Sequence, residues 1–190
     1  MKGLNKTMNE RFTVLKTDAE IRARIQELAV EISKDYQHIR PENPLLVLCT
    51  LRGAIFFSAD LVRALTIPCE INFIKVQSYQ GTRPAGSPIF ELGERIDVRG
   101  REVLIVEDIV DTGQTMDTVM RNFSDKGAAS IRIATMLDKP SRRYPHLIGS
   151  VVPDYIGFSI EDHFVVGWGL DYNEDFRLLP DIMIYNPDAD

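Results

Sequence analysis

Cysteine and tryptophan are scarce in this chain: two Cys and one Trp among 190 residues. Cys49 and Cys69 have neither metal-binding nor redox spacing, and each borders an apolar run. Both therefore read as buried free thiols, which fits a reducing, cytosolic setting. No apolar run is long enough to span a membrane, and the N-terminus lacks the apolar core of a signal peptide. Basic residues are outnumbered, with 22 Lys and Arg against 28 Asp and Glu and a formal net charge of −6. That balance offers no electrostatic footprint for nucleic acid or an anionic membrane, although a basic pocket can sit within an acidic surface. Repeats and low-complexity tracts are absent as well. His38 and His146 have no ligand spacing and receive no role.

What is present is an ordinary globular composition, 44% hydrophobic and 26% charged, of a size for one domain with a small appended lobe. Capping-box spacing at Thr17 and Glu20 starts a first helix, and Ile21, Ile25, Leu28 and Ile32 give it one apolar stripe ending near Tyr36. Buried strands follow at 45–49, 69–76 and 131–137, and a helix carries Phe56, Ala59, Leu61, Val62 and Leu65. Residues 78–92 read as a long connection, the kind that serves as a lid. Alternating strands and helices over 45–137 predict an α/β fold, a doubly wound parallel sheet. The core spans about 42–140, and a small hood lobe comes from both chain ends, about 1–41 and 141–190.

The most informative segment is Val103–Met116, V-L-I-V-E-D-I-V-D-T-G-Q-T-M. Four apolar residues form a strand buried on both faces and run into Glu107 and Asp108. Asp111 and the turn Thr112-Gly113-Gln114-Thr115 follow, and Met116, Val119, Met120 and Phe123 then keep helical spacing. A strand-to-helix turn presents free N–H groups to an anion. Two carboxylates beside that cradle would repel a phosphate unless a divalent cation or a vicinal diol sits between them. A ligand with phosphate, diol and metal is a sugar phosphate. The competing reading is a buried strand followed by a solvated acidic loop, with Thr112, Thr115 and Asp111 acting as helix caps.

The Val103–Met116 segment resembles the phosphoribosyl-diphosphate (PRPP) signature of the type I phosphoribosyltransferases. Leu51-Arg52-Gly53, Ser78-Tyr79, Lys139, Phe164-Val165-Val166-Gly167, Leu170-Asp171-Tyr172-Asn173-Glu174 and Arg177 continue the likeness in order. The last segments are similar to the branch acting on 6-oxopurines, the hypoxanthine-guanine enzymes. The resemblance implies a small hood over the sheet, Mg²⁺, and transfer of the phosphoribosyl group to a purine nitrogen with loss of pyrophosphate. It further implies an assembly of two or four copies.

The same resemblance assigns roles. Glu107 and Asp108 would hold the ribose hydroxyls and metal shell; Thr112, Gly113, Gln114 and Thr115 would cradle the 5′-phosphate. Asp111 would manage the proton at purine N7 as acid/base, with neighbouring carboxylates favouring its protonated form. Leu51, Arg52, Gly53 and Arg177 would bind pyrophosphate. Lys139 would donate to the 6-oxo group, Phe164 would stack on the base, Val165 would offer backbone groups to its edge, and Asp171 would bind the base region and Mg²⁺. Ser78 and Tyr79 would belong to a closing lid. Arg52, Gln114 and His163 stand where the family often has Lys. A solvated turn residue is the alternative for Arg52, and surface ion pairs are the alternative for Asp171, Arg177 and, with Asp138, Arg142 and Arg143 around it, Lys139; Trp168 is a pocket wall or core. Rival functions are transfer to xanthine or another base, and a PRPP-sensing regulator without catalysis. A dinucleotide-binding oxidoreductase is disfavoured because Gly167-Trp168-Gly169 lacks the third glycine and the strand–turn–helix context.

Overall fold

The computed structural model describes residues 11–76, 89–92 (backbone only) and 96–187. Helix α1 (Asp18–Asp35) opens on the expected capping box. The Thr17 hydroxyl accepts from the Glu20 amide at 3.3 Å, and the Glu20 carboxylate accepts from the Thr17 amide at 2.9 Å. Its apolar stripe, Ile21, Ile25, Leu28 and Ile32, is buried.

Five parallel strands make the main sheet: β2 (Leu45–Leu51), β3 (Cys69–Val76), β5 (Glu102–Val110), β6 (Ser130–Asp138) and β7 (Tyr155–Ser159). An antiparallel strand, β4 (Ile89–Leu92), closes one edge, and the order is β4-β3-β2-β5-β6-β7. Helix α2 (Ile55–Ala64) follows β2, and α3 (Gln114–Asp125) follows β5. Leu45, Val47, Cys49, Leu104 and Val106 pack on the side of α1 and α2, while Leu46, Leu48, Val103 and Ile105 pack with Met116, Val119 and Phe123 of α3. Both faces of the central strands are covered, which explains their unbroken apolar runs.

The chain runs outward from β2 to β3 and β4, then returns on the other side of β2 as β5 and proceeds to β6 and β7. The reversal falls between β2 and β5. Ligands of open α/β sheets bind at the carboxyl ends of strands at such a switch point. A second, three-stranded antiparallel sheet forms the hood from β1 (Phe12–Lys16), β9 (Ile182–Tyr185) and β8 (Val165–Val166), in the order β1-β9-β8.

Three boundaries differ from expectation. β5 continues through Val110, so Glu107 and Asp108 lie within the strand, held there by pairing of Glu107, Ile109 and Val110 with β6. The stretch 78–92, read as one connection, contains β4, whose backbone pairs with β3. Helix α1 and strand β7, both assigned to the hood, pack with the main sheet instead. The stripe of α1 buries against β2 and α2, and Arg24 of α1 donates to the Gly157 and Ile156 carbonyls of β7 at 3.1 and 2.9 Å. No helix among the described residues is long and apolar enough to cross a membrane.

Candidate active site

The carboxyl ends of β2 and β5 border a cavity of about 280 Å³. Its wall contains Leu51 and, from the Val103–Met116 segment, Glu107, Asp108, Asp111, Thr112, Gly113 and Thr115. Arg52, Gln114, Lys139, Phe164, Asp171 and Arg177 are not part of that wall. Glu107 is 8% exposed. Burial pushes its carboxyl well above the usual carboxylate range, and the hydrogen bond and charge of Asp108 push the same way. The Asp108 amide donates to Glu107 Oε1 at 3.2 Å, and the Ile109 amide donates to Asp108 Oδ1 at 2.9 Å. Thr50 of β2 donates its hydroxyl to the Val106 carbonyl at 3.0 Å, joining the two strand ends.

Beyond β5 the chain turns at Gly113, whose φ of +85° favours glycine. A Cβ at this position would also lie 2.9 Å from the Arg143 side chain. The Gln114 amide donates to the Thr112 hydroxyl at 3.4 Å. The amides of Gly113, Thr115 and Met116 have no acceptor among the described residues, as at other helix N-termini. Open amides at the start of α3 therefore border the cavity that also holds Glu107 and Asp108.

On the β2 side, the Leu51–Arg52 peptide bond is cis. Gly53 lies so close to Asp108 that a Cβ would overlap its carboxylate, and a Cβ on Gly169 would overlap the Gly53 carbonyl. The loop of the hood thus rests directly on the turn after β2. Arg52 and Arg177 meet there through carboxylates: Arg52 pairs with Glu174 at 2.5 Å, and Arg177 pairs with Asp171 at 2.7 Å and with Glu174 at 3.5 Å. Arg177 also donates to the Gly169 carbonyl and accepts at its own carbonyl from the Gly169 amide.

A second group of residues collects beyond Asp111. Lys139 is 6% exposed and follows β6, its amide donating to the Val110 carbonyl at 3.0 Å. Its ammonium lies 3.6 Å from Asp162, Asp162 lies 3.4 Å from Arg142, and Arg142 lies 3.3 Å from Asp111. A chain of alternating charges thus links Lys139 to Asp111, and the ionic partner of Asp111 is a guanidinium. Phe164, 50% exposed, meets Tyr172 edge-to-face with centroids 5.5 Å apart. Val165 is buried in β8. Trp168 is also buried, with its ring 6.3 Å from that of Phe56, so it belongs to the core. His163 lies 3.5 Å from Glu161. Ser78 and Tyr79 lie outside the described residues.

Glu107, Asp108 and Asp171, expected as metal ligands, are not gathered into one protein cage. The described residues contain no group of three or more His, Cys, Asp or Glu side chains able to hold a metal ion. The donor chemistry still suits a hard cation. Glu107 and Asp108 are hard oxygen ligands crowded together, and Mg²⁺ is usually held by one or two carboxylates with substrate oxygens and water completing its shell.

Arg143 is the residue that sequence reasoning missed. Read as part of a surface ion pair, its side chain is only 6% exposed and pairs with the buried Asp138. The same guanidinium donates to the Val110 carbonyl at 2.9 Å, the Val151 carbonyl at 3.2 Å and the Asp111 carbonyl. The Tyr144 amide adds a bond to the Thr112 carbonyl at 3.1 Å. Arg143 thereby fixes the backbone that aims Asp111 and Thr112. The nearest signal in the sequence was the adjacency of Arg142 and Arg143 to Asp138 and Lys139.

Fold and site together define an α/β protein with open helix-start amides and a carboxylate pair at its switch point. The phosphoribosyl transferase domain model matches residues 14–175, and the chain belongs to that family. It is 40% identical over 179 residues to the hypoxanthine-guanine phosphoribosyltransferase of Mycobacterium avium, covering 92% of this chain and 86% of that one. Identity is also 40% over 174 residues to the enzyme of the same name from Streptococcus pneumoniae, covering 90% and 92% of the two chains. Among solved structures, the chain is similar to a ternary substrates complex of a variant hypoxanthine phosphoribosyltransferase from Trypanosoma cruzi. The TM-score is 0.83 and the identity 38%, with 93% of this chain and 96% of that chain covered.

Proposed function

We propose that this protein is a purine-salvage enzyme that transfers the 5-phosphoribosyl group of PRPP to hypoxanthine and guanine. The products are IMP, GMP and pyrophosphate. The observation that carries this reading is the juxtaposition, at the β2–β5 switch point, of open α3 amides with the Glu107–Asp108 pair in one cavity. The amides suit a 5′-phosphate, and the carboxylates suit ribose hydroxyls.

In the reaction a purine ring nitrogen attacks the anomeric carbon as the bond to pyrophosphate breaks. Thr112, Gly113, Gln114 and Thr115 hold the phosphate, and Glu107 with Asp108 orients the ribose. Arg52 and Gly53 in the turn after β2, with Arg177 from the hood loop, meet the charge that builds on the leaving pyrophosphate. Asp111 holds or accepts the proton at the base's imidazole nitrogen. Lys139, buried and cationic, donates to a 6-oxo group, which selects against an amine at that position because mispairing leaves a buried donor unsatisfied. Phe164 offers an exposed ring face for stacking, and Val165 offers backbone groups. Glu107, Asp108 and Asp171 are the residues that would hold Mg²⁺, which supplies charge neutralisation at the diphosphate when bound. A cytoplasmic setting and a homodimer or homotetramer belong to the same reading.

The test is to offer hypoxanthine, guanine, xanthine, adenine and uracil separately with PRPP and Mg²⁺ and to detect nucleotide by chromatography. Product with hypoxanthine and guanine is expected. Absence of product with both, or a preference for another base, overturns the assignment.

A further inference from the structure

Glu174 places one carboxylate between two guanidinium groups from different segments. Its Oε1 lies 2.5 Å from Arg52 Nη2, in the turn after β2, and its Oε2 lies 3.5 Å from Arg177 Nη2, in the hood loop. Two oxygens of one anion bridging two arginines is the arrangement by which guanidinium groups receive phosphate oxygens. The backbone of Glu174 is held independently of its side chain. Its amide donates to Asp171 Oδ2 at 2.9 Å, and its φ is +73°. The carboxylate can therefore swing away without moving the loop. Its hold is weak, because the Arg52 and Glu174 side chains are each 61% exposed and the pair is screened by water. A diphosphate, with several oxygens and more negative charge, outcompetes a single solvated carboxylate for the same two cations.

We infer that Glu174 is an internal stand-in for diphosphate, occupying the anion position between Arg52 and Arg177 until the substrate or product displaces it. This rests on the phosphoribosyltransferase reading above and deepens it. Glu174 touches no reacting atom; it sets how tightly diphosphate is held and how readily it leaves. By pairing with both arginines in the free protein, it lowers diphosphate affinity and speeds release.

The probe is inorganic diphosphate with Mg²⁺, titrated calorimetrically into the full chain and into Glu174→Gln. The neutral amide keeps the side chain's size and removes the Glu174 charge from both guanidinium groups, Arg177 keeping its pair with Asp171, so Kd should fall about two- to five-fold at low salt. In an Arg52→Gln background the same change should give a smaller gain, since one of the two cations is gone. Glu174→Asn, a residue tolerant of the left-handed backbone, should reproduce the gain and guards against a folding artefact. Unchanged or weaker binding in both Glu174 variants, with their thermal unfolding unaltered, overturns the inference while leaving the enzyme assignment intact if nucleotide is still formed. Wild-type protein that neither binds diphosphate nor forms nucleotide overturns both.

Discussion

Glu107 carries a proton more readily than an exposed glutamate because it is buried against Asp108. A carboxyl whose pKa is higher folded than unfolded binds its proton more tightly in the native state. Above about pH 4.5 the folded state then holds the extra proton, and stability falls as pH rises toward Glu107's own raised value. In metal-free protein, wild-type stability should therefore decline relative to Glu107→Gln as pH rises from about 4.5 toward Glu107's raised value, as urea unfolding at a series of pH values would reveal. Parallel curves for the two proteins would remove the argument. Asp111 differs in that its ionic partner is Arg142 at 3.3 Å rather than a carboxylate. If it handles the base's proton, Asp111→Asn should lower kcat by about 10²–10⁴-fold with little change in the KM for PRPP. Steady-state kinetics decides, and equal losses in both parameters would reduce Asp111 to a binding or capping residue. The carboxylates were readable in the sequence because three of them come soon after a run of four apolar residues. Arg143 was not, because a charge in a sequence says nothing of its burial. Two adjacent arginines, Arg142 and Arg143, took opposite environments, one in the exposed charge chain and one behind the loop.

Between elements, the site depends on a clamp rather than on any one strand. The guanidinium of Arg143 ties the end of β5 to Asp138 at the end of β6 and to Val151 beyond it. Arg143→Met would leave the Asp138 carboxylate, 5% exposed, without its cation. Removing one partner of a buried ion pair costs about 3–5 kcal/mol, so denaturant unfolding should show a loss of that order. A loss below about 1 kcal/mol would mean the pair is solvated in solution. Helix α1 was predicted in detail because its capping box and stripe are local signals that the structure reproduces. Strand β4 was not, since its four residues pair with β3 across an intervening segment that carries no strand pattern. Strand β7 lies in the stretch 141–190 that was expected to build the hood, yet it belongs to the main sheet. Its partner β6 is chosen by tertiary contact, including a glycine, Gly157, whose missing Cβ lets it lie against the Met136 carbonyl.

At the scale of the whole molecule, helices cover both faces of the central strands, and Cys49 of β2 lies fully buried beneath them. Burial pushes its thiol up to about 11, so it is protonated at neutral pH and shielded from reagents. A thiol-specific chromophore should therefore label Cys49 of the native protein only as fast as the chain unfolds, as mass spectrometry of timed samples would show. Rapid labelling of Cys49 would mean that the β2–α2 face opens locally. The doubly wound core was legible because alternating strands and helices leave few topologies. The hood's composition was less so, because β8 and β9 are short and their partner β1 comes from the opposite end of the chain.

That hood has a consequence for how the protein is made. In the order β1-β9-β8 the middle strand is β9, which follows every other described strand in the chain. Neither β1 nor β8 has its hood partner until residues 182–185 leave the ribosome. The five parallel strands, with Glu107, Asp108 and the α3 turn, are all translated earlier, yet Val165 and Ile182 of the hood share a buried core with β2 and β5. Because domains generally fold as units, the last strand to be made is also needed to close the common core, and Phe164 and Val165 are fixed in place only when β9 arrives.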